Sequence, residues 1–150
     1  MSLFDIYKAK KLGISSKALF AEAVGKRLKA FAEFNKWDED WEPGTYSNTG
    51  VKDAVNYQVR SKNYIPCLPT TTYYFKGTGG NRICFYNADK EFVKVMFDKN
   101  NATFTVPSNC YYMTFNMGSS YGNVYKNDIC INISKTEGSP KNGDYVPYKG

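Results

Sequence analysis

The chain has 150 residues, a net charge of +6 and no histidine. That length suits one ordinary domain, or a small domain carrying an arm. The missing histidine excludes a Ser-His-Asp or Cys-His nucleophile system within the chain, and with it the commonest metal ligand.

The cations are spread along the chain, with no long cluster outside the first 36 residues, so nucleic acid is not an expected partner. Aromatic residues make up 17%, led by 13 tyrosines and 10 phenylalanines. Such side chains favour pleated, half-buried surfaces and tilt the chain toward β structure.

The first part reads as helix. Leu3 to Leu12 is a short helical run ending at Gly13, a C′ glycine. Ser15 or Ser16 then caps a second helix. Along it Phe20, Val24, Leu28 and Phe31 recur at helical spacing and form one apolar stripe. The stripe is expected to pack on copies of itself or on another protein, ahead of the chain's own β domain or a membrane surface. The start, MSLFDIYKAKKLG, has no uninterrupted apolar core. Neither a signal peptide nor a membrane-spanning segment is expected. The join Trp37 to Gly44 carries four acids, a proline and a glycine. It suggests an arm over 1–42 and a β domain over 43–150.

In the second part, strand-like runs alternate with turn signals. The predicted strands are Val55 to Arg60, Asn63 to Cys67, Thr71 to Lys76, Arg82 to Tyr86, Val93 to Phe97, Ala102 to Val106, Tyr111 to Met117 and Asp128 to Ser134. Short strands without an intervening helical period predict an antiparallel β-sandwich. The stretch Phe75 to Arg82, FKGTGGNR, has the glycines of a phosphate cradle. A phosphate loop needs a helix after it, whereas the next residues here are the strand-like Arg82-Ile83-Cys84-Phe85-Tyr86. The loop is therefore expected to be a turn between two strands.

Cys67, Cys84, Cys110 and Cys130 each sit in an apolar or aromatic run, with no Cys-x-x-Cys pair. They are expected to be buried free thiols rather than disulfides or zinc ligands. Carboxylates are few in the β part and lie mostly in turns, so no catalytic residue is assigned. Asp89 and Glu91 share a loop that could bind calcium, but solvated turn acids fit better, and no cofactor is expected.

The tyrosines are the more informative group. In the pairs Tyr73-Tyr74 and Tyr111-Tyr112 one ring should face the core and the other outward. Tyr121 and Tyr125 fall in a glycine- and asparagine-rich segment, expected to be a long loop. Tyr112, Tyr121 and Tyr125 are the candidate aromatic contacts for a ligand.

Several stretches together carry a family likeness. They are Gly44-Thr45-Tyr46, Arg60-Ser61-Lys62-Asn63-Tyr64-Ile65-Pro66, Pro69-Thr70-Thr71-Thr72-Tyr73, Arg82 to Phe92, Thr103-Phe104-Thr105-Val106-Pro107, and Ile131 to Ser134 with Asp144 to Tyr148. The pattern resembles the carbohydrate-binding-module-like β-sandwich domains of bacteriophage tail and other virion proteins. The opening Asp5 to Gly13 is similar to the start of phage minor structural proteins.

The resemblance implies a galactose-binding-like jelly roll on a virion, assembled in bacterial cytoplasm. The helical N-terminus would attach it to other virion proteins as a homo-oligomer. Host-surface glycans are the candidate ligand, and Arg60 is either a contact to them or a pair within the fold. The alternative is a purely structural capsid-decoration, head-fibre or tail protein that binds no glycan. A glycan-cleaving enzyme, which would need two facing carboxylates, is the reading from another class.

Overall fold

The computed structural model describes residues 35–133 and 145–149. These belong to a compact unit spanning Phe34–Gly150. The helical runs predicted near the N-terminus, with Phe20, Val24, Leu28 and Phe31, lie outside the described residues.

The described part is mainly β, and its strands pair antiparallel. The strands are β1 (Trp41–Pro43), β2 (Thr45–Tyr46), β3 (Lys52–Asp53), β4 (Val59–Ser61), β5 (Ile65–Pro66), β6 (Thr72–Lys76), β7 (Asn81–Tyr86), β8 (Phe92–Phe97), β9 (Ala102–Thr105), β10 (Tyr112–Met117) and β11 (Cys130–Ile133). The larger sheet runs β1-β4-β10-β7-β8, with β5 also on β10, and a smaller sheet runs β11-β6-β9. The strands β2 and β3 form a hairpin of their own. Each of the predicted strands has a counterpart, whereas β1, β2 and β3 were not foreseen.

The two main sheets share one core because each turns an alternate set of side chains toward the other. Ile83, Phe85, Met113, Phe115 and Met117 come from the larger sheet, and Tyr73, Phe75, Phe104 and Ile131 from the smaller. Rings meet across the gap. Phe75 packs edge-on against Phe115 at 5.1 Å, and Phe85 lies 5.8 Å from Phe104. Such pairs add about 1 kcal/mol each to the burial itself.

The segment before β1 corrects the predicted boundary at residue 42, for residues 35–42 are built into the β unit. Trp37 is fully buried and packs edge-on against Trp41 at 4.4 Å and Phe115 at 4.9 Å. Asn35, itself buried, acts as a clasp on β11. Its Nδ2 donates to the Ile129 carbonyl at 3.1 Å, and its Oδ1 accepts from Ile131 N–H at 2.9 Å. Acids such as Asp38 and Asp40 made this stretch read as a linker, but the tryptophans between them decide its place.

The glycine loop after β6 also differs from a simple hairpin turn. It does join two strands, but they lie in different sheets, so the loop crosses from one layer to the other. Gly79 takes φ +74°, the left-handed conformation that glycine adopts without strain. As expected, the cysteines are free and buried.

Candidate functional site

The outer face of the larger sheet carries a second cluster. Alternation puts Arg82, Cys84 and Tyr86 of β7 and Tyr112, Thr114 and Asn116 of β10 on this face, opposite the core set. Tyr46 of β2 packs on Cys84 and Tyr86, with Phe92, Val95 and Tyr112 around them. The β2–β3 hairpin thus lies over the sheet, and a cleft opens beside it.

Arg60 holds the hairpin in place. Its Nη1 donates to the carbonyls of Thr45 and Asp53, both at 2.9 Å, and its Nε to Glu42 Oε1 at 2.9 Å. Its guanidinium also lies 5.6 Å from the centre of the Tyr46 ring. With 9% of its surface exposed and its Nε and Nη1 engaged, Arg60 pairs within the fold, and it does not line the cleft.

The turn of the hairpin is fixed by Ser47, whose Oγ accepts from the N–H groups of Thr49 and Val51. Gly50 follows at φ +75°. A Cβ there would stand 2.7 Å from the Phe92 ring and 2.8 Å from the Tyr86 hydroxyl, so only glycine fits.

The cleft has a volume of about 260 Å³ and is lined by Tyr46, Gly50, Val51, Lys52, Lys62, Tyr64 and Thr114. This is near the lower end for ligand sites, the scale of one small ring. Tyr64 is 41% exposed and forms its aromatic wall. The ring is propped edge-on by Tyr86 at 5.0 Å and by Tyr112 at 5.9 Å. Lys90 Nζ sits over both Tyr64 and Tyr112, at 5.1 and 5.2 Å from their centres. These contacts fix the wall before any ligand arrives.

The polar lining is equally ordered. Tyr86 donates its one hydroxyl proton to the Gly50 carbonyl at 2.7 Å, so Thr114 Oγ1 is the donor in their 3.0 Å contact. Tyr46 donates to the Ser61 carbonyl at 2.6 Å. Burial pushes the Tyr46 phenol up to about 12, so it stays protonated. Lys52 pairs with Glu42 and donates to the Lys62 carbonyl at 3.0 Å. The Lys62 side chain is 53% exposed, and its ion pair with Asp40 is long, at 3.9 Å. Lys62 is therefore the cation best placed to turn toward a ligand. The cleft can stack a ring on Tyr64 and donate hydrogen bonds from lysine.

The predicted ligand residues do not gather here. Tyr112 stands behind Tyr64 as its support. Tyr121 lies in the core, with 6% of its surface exposed and its hydroxyl donating to Asp128 Oδ1 at 2.6 Å. It also packs on Trp41 at 5.8 Å, so it is not a surface contact. Tyr125 is exposed and stacks in parallel with Trp41 at 6.5 Å. These two follow the far end of β10 from Tyr112, about 17 Å away at the rise of a strand.

The tyrosine pairs also differ from expectation in part. Tyr73 is buried and Tyr74 half-buried, as alternation requires. Tyr111 is exposed and lies just before β10, while Tyr112 is half-buried on the outer face, so neither enters the core between the sheets. Tyr64 was missed as a site residue because its stretch, Lys62-Asn63-Tyr64-Ile65-Pro66, read as framework.

The turn holding Asp89 and Glu91 is organised by Asn87, whose Oδ1 accepts from both of their N–H groups. Among the described residues no group of three or more Cys, Asp or Glu side chains is placed to hold a metal ion. No helix among them is long and apolar enough to cross a membrane. No protein family matches the chain, and no curated protein or solved structure is similar to it.

Proposed function

We propose that this chain is a bacteriophage virion structural protein whose β unit is displayed on the particle and binds a host-surface sugar in the cleft beside Tyr64. The observation that carries the reading is the exposed Tyr64 ring, braced by Tyr86, Tyr112 and Lys90, facing a cleft with lysines on its rim. A pyranose offers an apolar face that stacks on such a ring, and hydroxyls that accept from ammonium groups. The framework stretches that resemble phage virion domains support the placement on a particle and a jelly roll of the galactose-binding kind. Attachment to other virion proteins falls to the N-terminal residues, where the apolar stripe lies.

The buried thiols do not supply a nucleophile. Burial holds Cys67 up at about 12 and Cys84 and Cys130 at about 11, which leaves them as thiols and not as nucleophilic thiolates.

The test is a glycan array probed with the full chain presented on beads, where many copies raise weak binding by avidity. A reproducible hit is expected, lost in Tyr64→Ala, weakened in Lys62→Ala and unchanged in Tyr125→Ala. A blank array from folded protein would replace sugar binding with a purely structural role. Peptides of this chain in purified virions would be expected in either case, and their absence would overturn the placement on a particle.

A further inference from the structure

The Tyr64 cleft has a charge as well as a shape. Two of the residues that line it, Lys52 and Lys62, are cations, and none is a carboxylate. Glu42 is shared between Lys52 and Arg60, so one carboxylate answers two cations and a positive excess remains. Lys90 Nζ, 5.1 Å from the centre of the Tyr64 ring, brings a third lysine close to the aromatic wall.

The hydrogen-bonding groups lean the same way. The carbonyls of Tyr46, Gly50 and Lys62, all lining residues, already accept from Arg82, Tyr86 and Lys52. Tyr46 gives its own hydroxyl proton to the Ser61 carbonyl. What the lining still offers a ligand is therefore ammonium N–H. Lys62 is the group that can move. Its ion pair with Asp40 spans 3.9 Å between two half-exposed side chains. Such a contact contributes little and is readily exchanged for a better-placed anion. Asp40 would not be left bare, since it also accepts from Asn63 Nδ2 at 3.3 Å. A cationic ligand would meet the lysines without a carboxylate to receive it, whereas an anionic one would meet a loosely held ammonium.

We propose that the sugar taken by this cleft is acidic: a pyranose that stacks its apolar face on Tyr64 and sets an anionic substituent against Lys62. Tyr64 is then the general contact and Lys62 the residue that selects. Lysine is a point charge without the planar fork of arginine, so it takes a carboxylate, a sulfate or a phosphate alike. The assignment rests on the reading of the cleft as a sugar site and adds which sugars that site prefers.

An array that carries each acidic glycan beside its neutralised counterpart tests it, probed with the full chain on beads. The counterpart of a carboxylate is its methyl ester, and that of a sulfate or phosphate is the free hydroxyl. Competition by the soluble glycans then ranks the two members of each pair. The acidic member is expected to bind about fivefold tighter, the effect of one unit charge pair about 4 Å apart in water. Lys62→Gln is expected to bring the acidic member down to its counterpart, and Lys62→Arg to keep the preference. Asp40→Asn, which removes the competing carboxylate, is expected to widen it. At about 1 M salt, where the Debye length falls to roughly 3 Å, the preference should shrink. If both members bind alike, or if Lys62→Gln leaves the preference intact, acidic selection is overturned while the sugar site stands. If folded protein binds neither member of any pair, the sugar site falls and acidic selection falls with it.

Discussion

Arg60 joins several strands with a single side chain. Its removal leaves the carbonyls of Thr45 and Asp53 without their donor and strips Glu42 of a partner. Arg60→Ala is expected to cost about 3 kcal/mol in urea denaturation. Arg60→Lys should recover little of that, because an ammonium cannot reproduce the fork. Glu42 adds a pH dependence. Burial alone would raise its carboxyl, but hydrogen bonds and charge from Lys52 and Arg60 outweigh it and hold the group below 4.5. A depressed carboxyl contributes stability above its unfolded value and loses it as the pH falls through the folded value. The urea midpoint is therefore expected to fall below about pH 4.5, and less so in Glu42→Gln. The residue scale is also where sequence reading misled. Tyr121 sits among glycine, serine and asparagine, the company of an exposed loop. What buries it is Trp41, eighty positions earlier, together with Asp128 as its hydrogen-bond acceptor.

Among the elements, the β2–β3 hairpin decides whether the cleft exists. Its strands are two residues each, too short to show any alternation in sequence, and their stability comes from Arg60, Ser47 and the sheet beneath. Gly50→Ala puts a Cβ against Tyr86 and Phe92 at a left-handed φ. The expected cost is about 2 kcal/mol, with loss of any binding that Tyr64→Ala abolishes, checked by denaturation and by the bead assay side by side. β6 was legible because its burial alternates, and β7 and β10 because their continuous apolar and aromatic runs are buried on both faces. β6 reads half-buried, buried, half-buried, buried, half-buried from Thr72 to Lys76. The crossing of the glycine loop between sheets was not, since local sequence shows that a chain turns but not which strand it next pairs with.

At the scale of the whole molecule, the four thiols report on how firmly the sandwich is closed. Cys84 and Cys110 are fully buried, and Cys67 and Cys130 nearly so. With their thiols also held protonated, they should react with a thiol reagent only when the unit opens. Native protein is expected to label orders of magnitude more slowly than protein in strong denaturant, where all four react together. Fast labelling of Cys67 or Cys110 alone, at neutral pH, would mean that the Pro66 to Pro69 end opens by itself.

The Asn35 clasp and buried Trp37 have a mechanical side. A chain pulled from the N-terminal direction would meet them before it reached any strand. Asn35 and Lys36 are bonded to Ile129 and Ile131 along β11, and Trp37 is wedged among Trp41 and Phe115. Tension would load these bonds together instead of opening the sheet one bond at a time. Single-molecule pulling from residue 34 should therefore show a high, abrupt rupture, and Asn35→Ala should lower that force while leaving the strand order unchanged.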